Sequence, residues 1–360
     1  MIYFVFILFT YIVYKFYYRI PIGYAKDSQK SKLYLKFTIL ACVFIVVIIA
    51  FKDLSIGTDT ERYYYHYLSD DKPNWREGNI SGQELGFRYL QYICRELGLS
   101  WLSYSILTSI IIVAPLGWLF YKYSNNIWAS FLLYVTIGLF AVNMTGLRQS
   151  LAIAMVTIAT VSIFEKKYFR FILFVFAAFL FHYSAIVAIV LGLIPLLKYR
   201  NKFQLIILLL VPLIVKLIGG ALFGFIDVYL PERYDGYESQ SFSMNPLLFL
   251  MWYLLLIFEW YSLVKNKDVS NVDYWFYVMM VCFVSSIFLS EHVYMASRIS
   301  YYFENAVVAS LPRFIYKFPP SNKRSLMSFL IYGFSMLAFL LSLLGSDTLS
   351  ISNYKLLSVF

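Results

Sequence analysis

Long apolar segments recur along nearly the whole chain and constrain its fold more than any other feature. Each approaches or reaches the roughly 20 residues that a helix needs to cross a bilayer. With 61% hydrophobic and only 14% charged residues, the composition predicts a polytopic membrane protein and excludes a soluble or a disordered chain. The apolar segments lie at roughly 2–18, 33–51, 99–121, 127–142, 147–164, 203–223, 246–264, 274–290, 299–316 and 326–344.

The net charge of +10 has a topological explanation, because the cytoplasmic loops of membrane proteins collect Lys and Arg. We therefore expect no nucleic-acid partner. The first apolar segment has no basic start and no small-residue cleavage site, so it is predicted as a span and not as a signal peptide. Two of the three cysteines, Cys42 and Cys282, lie in apolar segments and Cys94 lies in a loop, so no disulfide framework is expected.

Residues 169–197 form an apolar segment that is long for one crossing and short for two. If the segment crosses twice and turns near His182, the Lys and Arg clusters of successive loops alternate consistently between the two sides. A single crossing would break that alternation at Lys198 and Lys202. We therefore predict an all-α protein of about twelve spans, with both termini extracytoplasmic and residues 198–202 cytoplasmic.

The polar clusters that are not basic loops all fall on the outer face in this topology. The chain is predicted to be one integral membrane domain, residues 1–360, with outer loops at about 52–98 and 225–245. Helical spacing in the first loop predicts an amphipathic helix that lies on the membrane or covers a cavity. Its apolar residues are Phe87, Leu90, Cys94 and Leu97, and its polar residues are Glu84, Arg88, Gln91 and Arg95.

An Arg-Gln pair, Arg148 and Gln149, interrupts the apolar stretch MTGLRQSLA. Residues 143–146 predict a break between two spans, with Thr145 as the N-cap of the next helix. Arg148 would then lie in the first turn of a helix whose positive end points outward, which suits a phosphate-sized anion. The alternative is an interfacial arginine that reaches lipid headgroups, and the spacing alone does not decide between the two.

The stretch GTDTERYYYHY places Asp59, Glu61 and His66 among tyrosines, directly after a span. Aromatic rings can stack on sugar faces and carboxylates can accept protons from sugar hydroxyls, so a carbohydrate site is one interpretation. An interfacial aromatic belt with solvated charges is the other, and the pattern favours it. Glu84 and Arg88, four residues apart, are equally compatible with a simple ion pair on a helix.

The remaining candidates lie at His182 and in SEHVYMASRISYYFEN. His182 is either a packed histidine or a catalyst at the outer face. Arg298 is a candidate phosphate ligand with Glu304 as its counter-ion, or the two form a structural pair. The sequence contains no zinc or redox spacing, although the carboxylates of Asp59, Glu61 and Glu84 could together hold a hard cation.

Taken in order, these motifs resemble the EpsG/Wzy-type polysaccharide polymerases of bacterial envelopes. The resemblance runs from about Phe51 to Phe303. It is carried by GTDTERYYYHY, QELGFRYLQYI, NMTGLRQSLAIAM, KKYFRFILFVFAAFLFHYSAI and RISYYF.

The resemblance implies a GT-C-like, metal-independent glycosyltransferase without a cofactor, in the bacterial inner membrane. Such enzymes join undecaprenyl-diphosphate-linked oligosaccharide repeat units on the extracytoplasmic face, by transferring the growing glycan from one lipid carrier to another lipid-linked unit. Their products are O-antigen, capsule or exopolysaccharide. A chain-length regulator and a flippase are the membrane partners that it implies.

The resemblance also gives the candidate residues roles. The diphosphate would be held by Arg148, Gln149 and Arg298, and the glycan would be contacted by Tyr63, Tyr64, Arg88 and Tyr301. The general base would be one of His182, Asp59 and Glu84. Alternatives are an O-antigen ligase, another lipid-linked glycosyltransferase, or a transporter (flippase), whose pathway could be lined by Lys216 and Glu259.

Overall fold

The computed structural model describes a helical protein. The described residues are 2–18, 27–69, 72–73, 83–199, 201–227, 246–265, 269–292, 294–344 and 354–355. Within them the regular elements are helices, as the sequence predicts. They are α1 (Ile2–Tyr18), α2 (Asp27–Ala50), α3 (Thr60–Leu68), α4 (Leu85–Glu96), α5 (Trp101–Tyr123), α6 (Ile127–Ile137), α7 (Leu139–Thr145), α8 (Leu147–Phe164), α9 (Tyr168–Phe181), a 3-10 helix (Tyr183–Leu196), α10 (Lys202–Asp227), α11 (Pro246–Lys265), α12 (Asn271–Leu289), α13 (Tyr294–Ile315) and α14 (Asn322–Leu344).

Several of these helices are long and apolar enough to cross a membrane. Among the described residues six qualify, and a seventh is obtained if α6 and α7 count as one bent span. Three shorter apolar helices, Ile2–Lys15, Tyr168–Phe181 and Tyr183–Leu196, fall below that length. The chain is thus a multi-pass membrane protein, while the total of about twelve spans stays a prediction. The predicted outer loop at 225–245 lies almost entirely outside the described residues.

The helix pair α6–α7 is bent by 62° at Gly138, whose φ of +123° is a conformation that favours glycine. A broken helix leaves the first N–H groups of the second half without partners. The buried carboxylate of Glu304 accepts a hydrogen bond from the Leu139 N–H and so caps the new helix. Glu304 therefore stabilises the break between α6 and α7. It does not serve as the counter-ion of Arg298, which is the role that the sequence suggests.

The turn predicted near His182 is present. α9 ends at Phe181, His182 follows with an extended backbone, and the 3-10 helix starts at Tyr183. A Cβ placed on Gly192 would lie 2.9 Å from the ring of Phe171. Because Phe171 and Gly192 are almost equally far from His182 in sequence, this close approach means that the two helices pack as an antiparallel hairpin.

The amphipathic loop helix is α4, and it packs on protein. A Cβ at Gly86 would lie 2.8 Å from Leu180, so α4 approaches the end of α9 very closely. Phe87, Gln91 and Cys94 are its buried residues. The prediction that Gln91 lies on the polar face, opposite the apolar residues, is wrong, because Gln91 is buried together with Phe87 and Cys94.

Polar side chains gather at two opposite ends of the helices. One end, called here the Arg148 end, joins the start of α8 to the end of α9. The other, called the Asp273 end, joins the start of α12 to the end of α13 through ion pairs of Asp273 with Arg313 and Lys317. Arg313 also donates to the backbone oxygen of Tyr123, whose neighbour Lys122 pairs with Glu165 just beyond the end of α8. Because a helix rises about 1.5 Å per residue, the length of α8 separates Arg148 from Glu165 and keeps the two clusters apart.

Candidate active site

Three of the predicted residues, from three distant parts of the chain, meet at the Arg148 end. Glu84 lies at their centre, with its side chain only 5% exposed. One carboxylate oxygen, Oε2, is 2.6 Å from Arg148 Nη1. The other, Oε1, is 2.7 Å from His182 Nδ1. The carboxylate therefore links a guanidinium to an imidazole, and both of its oxygens are used.

Each of these side chains is placed by a helix end. Glu84 is the N-cap residue of α4, Arg148 lies in the first turn of α8, and His182 follows the last residue of α9. Helix ends carry unpaired backbone groups and a partial charge, so they concentrate polar side chains where apolar helices stop. Arg148 follows the break at Gly146 that the sequence predicts.

The protonation state of Glu84 follows from its surroundings. Burial alone would raise the pKa of its carboxyl group. The hydrogen bond with His182 and the positive charge of Arg148 act in the opposite direction and prevail, so the pKa lies below its usual range. Glu84 is thus an ionised carboxylate at neutral pH, well suited to orient its two partners.

His182 has one ring nitrogen committed and the other available. Its Nε2 atom is buried and has no hydrogen-bond partner among the described residues. If the Nδ1–H donates to the Glu84 carboxylate, Nε2 carries the lone pair. A carboxylate that orients a histidine in this way leaves it able to accept a proton and stabilises the imidazolium that results.

Tyr63, on α3, packs beside Arg148 at the edge of this cluster. Its hydroxyl is 3.5 Å from Arg148 Nε, and its ring meets Phe87 edge-on with centroids 5.3 Å apart. The side chain is only 4% exposed, so its ring face is not open to a sugar. The structure therefore assigns Tyr63 to packing beside Arg148 and not to the glycan-stacking role that the resemblance implies.

Helix α13 completes the site through residues of its second and third turns. The side-chain amide of Gln149 donates to the backbone oxygen of Arg298 at 3.0 Å. The hydroxyl of Tyr302 lies 2.7 Å from Ser184 Oγ and close enough to Glu84 and Arg298 to experience both charges. Gln149 and the backbone of Arg298 thus lie together at the start of α8, while their binding of a diphosphate stays a prediction. Tyr302 was not predicted, because the sequence offers no pattern that joins it to Ser184.

Lys52 is the second residue that sequence reasoning missed. Its Nζ donates to the backbone oxygen of Met144, at the end of α7, and to Thr60 Oγ1 at 2.9 Å. Burial lowers the pKa of Lys52 to about 7, although nearby Asp59 opposes that shift. A cation at the carboxyl end of α7 stabilises the break that precedes Arg148. Lysines after spans are common, so no local signal marks this one.

The remaining predicted residues surround the cluster at a greater distance. Asp59, half-buried at the start of α3, lies within electrostatic range of Lys52 and Tyr63. Tyr64 packs edge-on against Trp101, with ring centroids 5.4 Å apart. Arg88 and Tyr301 are half-buried on α4 and α13. The structure gives none of these four a contact with the Glu84 carboxylate.

The sequence also allows a second role for Asp59, Glu61 and Glu84, in which the three carboxylates together bind a hard cation. Within the described part of the chain, no three His, Cys, Asp or Glu side chains lie close enough to hold a metal ion. Glu84 is turned toward Arg148 and His182, while Glu61 is exposed on α3. Asp59, Glu61 and Glu84 therefore do not converge.

Comparison with known proteins adds one finding. Residues 35–356 match the model of the EpsG family, which confirms the family predicted from the motifs. No curated protein and no solved structure matches the chain.

Proposed function

The chain belongs to the EpsG family, and on that premise we propose that it is a membrane-bound polysaccharide polymerase. It joins undecaprenyl-diphosphate-linked oligosaccharide repeat units by moving the growing glycan from one lipid carrier onto another lipid-linked unit. The observation that carries this proposal is the arrangement of Arg148, Glu84 and His182, which places an anion-binding group beside a general base.

In this proposal the Arg148 guanidinium binds the donor diphosphate. A guanidinium presents five N–H donors in a planar fork, a geometry that suits the oxygens of a phosphate group. The start of α8 adds its positive dipole end, with Gln149 in the same turn. Arg298, tied to Gln149 through its backbone, is the second cation of the cradle. These charges stabilise the negative charge that develops on the departing diphosphate.

His182 is the general base that we propose for the acceptor. Its Nε2 takes the proton of a sugar hydroxyl, and the hydroxyl oxygen forms a bond to the anomeric carbon of the donor. The bond from that carbon to the phosphate oxygen breaks, and undecaprenyl diphosphate leaves with the electron pair. Glu84 holds the imidazole and stabilises its positive charge. Of the other two candidates, Glu84 is occupied by its partners and Asp59 faces Lys52 and Tyr63.

The charge arrangement also supports metal independence. Two cationic side chains, Arg148 and Arg298, are enough to neutralise a diphosphate without a divalent ion. We therefore propose a metal-independent, cofactor-free, GT-C-like reaction. Activity of the purified protein in excess EDTA is the test of this proposal.

Orientation in the membrane is proposed from the same geometry. We propose that α1, α2, α5, the bent α6–α7 pair, α8 to α14 and the 3-10 helix each cross the bacterial inner membrane. The Arg148 end then faces the outside and the Asp273 end faces the cytoplasm, in agreement with the basic-loop rule. In intact cells, a single cysteine at position 58 should react with an impermeant maleimide and one at position 198 should not. Labelling at position 198 would contradict this topology.

A deletion strain tests the function itself. On a glycan gel, loss of a polymerase leaves single repeat units where the wild type gives a ladder. Loss of all surface glycan would instead identify a flippase, and a polymer that stays on its lipid carrier would identify a ligase. We also propose a chain-length regulator and a flippase as membrane partners, and O-antigen, capsule or exopolysaccharide as the product. The glycans that the same strain lacks identify the product class.

A further inference from the structure

Helix α3 has a second face that the proposed reaction does not use. Thr60, Tyr63 and Tyr67 are buried on one side. On the other side, a broad, open depression of about 470 Å³ is lined by Thr58, Glu61, Arg62, Tyr65 and His66. Thr58 precedes α3, and the other four residues lie four apart in two pairs, which places them on a single face of the helix.

The chemistry of this depression is mixed. It combines a carboxylate, a guanidinium, an imidazole and a hydroxyl with the ring of Tyr65, which is 62% exposed. A sugar has apolar C–H faces that pack on an aromatic ring and a rim of hydroxyls that donate to carboxylates and accept from guanidinium groups. Glu61 and Arg62 carry opposite charges, so the face has no net positive charge with which to attract an anionic lipid headgroup.

Contacts of Tyr67 and His66 with neighbouring segments fix the position of α3, and with it the depression. The depression lies beside the candidate active site. Tyr67 OH donates to the Leu99 oxygen at 2.7 Å, and its ring stacks on Tyr104 with centroids 4.5 Å apart. Arg95 Nη1 donates to the His66 oxygen at 3.3 Å. Tyr63, on the opposite face of α3, contacts Arg148. The two sites are therefore separated by about one helix diameter, roughly 10 Å, which an oligosaccharide spans and a monosaccharide does not.

We propose that the face of α3 formed by Thr58, Glu61, Arg62, Tyr65 and His66 is a glycan subsite, which binds sugars of the lipid-linked oligosaccharide while its diphosphate end is at Arg148. This inference rests on the proposed polymerase function and specifies where the substrate's sugars lie. Tyr65 is the stacking platform, and Glu61 and Arg62 bind hydroxyls.

The test uses the purified full-length chain in nanodiscs. The probes are the lipid-linked repeat unit that accumulates in the deletion strain, and the free oligosaccharide released from it by mild acid. Tyr65→Ala should raise the KM for the lipid-linked unit about tenfold and leave kcat within about twofold, since one aromatic platform contributes on this scale. Tyr65→Phe should behave like wild type. Leu68→Ala, which removes another exposed apolar side chain from α3 (55% exposed), is the matched control.

Two outcomes would overturn the subsite. One is a KM for Tyr65→Ala equal to that of Leu68→Ala. The other is a Tyr65→Ala effect present in phosphatidylglycerol nanodiscs and absent in phosphatidylcholine nanodiscs, which would assign the face to lipid headgroups. If the wild-type protein does not polymerise, the proposed function fails, and saturation-transfer NMR with the free oligosaccharide still decides the subsite: a Tyr65-dependent signal supports it and no such dependence refutes it.

Discussion

The Arg148 end and the Asp273 end of this protein use nearly the same groups for different purposes. Each has a buried carboxylate between two basic side chains. Asp273 is 2% exposed and binds Arg313 Nε at 2.6 Å and Lys317 Nζ at 2.7 Å. Glu84 is 5% exposed and binds Arg148 and His182 at similar distances. Burial and ion pairing alone therefore do not distinguish a structural cluster from a reactive one.

The difference lies in what the carboxylate holds. Asp273 also forms a capping box with Ser270 at the start of α12, and it joins that helix to α13, so its bonds fasten two helices together. Glu84 orients a histidine whose second ring nitrogen is buried and has no partner among the described residues. Such an orphaned group is costly in a purely structural cluster. Buried polar atoms without a partner also occur elsewhere in the described chain, for example Glu259 Oε2. What distinguishes the Arg148 end is therefore an unpaired imidazole nitrogen on a histidine that a carboxylate orients.

The largest effect should come from His182→Gln. Glutamine keeps a polar side chain near Glu84 and cannot act as a base, so polymerisation should fall by about 10²- to 10⁴-fold. Protein level and thermal unfolding temperature should stay close to wild type. The glycan ladder of complemented deletion cells, with immunoblotting for protein level, measures both. An undiminished ladder would remove His182 from the reaction.

Asp273→Asn should give the opposite pattern. Removal of this charge leaves two half-buried cations short of their partner, which costs about 1–3 kcal/mol of stability. Less folded protein should be recovered, and the activity per folded molecule should remain near wild type. A clear loss of specific activity in well-folded protein would mean that the Asp273 end takes part in the reaction and that the comparison is mistaken.

Arg148→Lys should reduce activity by about ten- to a hundredfold at normal protein level. A guanidinium offers a planar fork to Glu84 and to phosphate, and an ammonium does not. Arg313→Lys is the matched control, because it makes the same change at the other end. We expect it to affect thermal stability only. Equal specific activities for the two variants would argue against diphosphate binding by Arg148.

The smallest effect concerns pH. Because the folded-state pKa of Glu84 is depressed, its pairing contributes stability that is present above the unfolded value, about 4.3. That contribution is lost as the pH falls through the still lower folded pKa. Glu84→Gln lacks this dependence. Melting temperatures of the purified proteins between pH 7 and pH 3 should show wild type losing its advantage over Glu84→Gln below about pH 4.3. Parallel curves would contradict the assignment of Glu84 as the ionised partner.

Much of this site could be predicted because its residues interrupt apolar segments. Arg148, Gln149 and His182 stand out where long apolar stretches break, and the turn at His182 follows from the alternation of basic loops. The meeting of Glu84 with Arg148 and His182 could not be predicted, since it depends on the packing of α4 against α9. The burial of Gln91 on α4 and of Tyr63 beside Phe87 also depends on tertiary packing. Lys52 and Tyr302 reach the site through contacts with Met144 and Ser184, which are distant from them in sequence.

The central claim is that the Glu84-oriented His182 and Arg148 join lipid-linked glycans without a metal. The most direct test supplies purified wild-type protein and His182→Gln with the undecaprenyl-diphosphate-linked repeat unit, in excess EDTA. Wild type should form a ladder and release one undecaprenyl diphosphate for each glycosidic bond, and His182→Gln should form neither product. Equal turnover by both proteins, or wild-type activity that chelation abolishes and magnesium restores, would contradict the account.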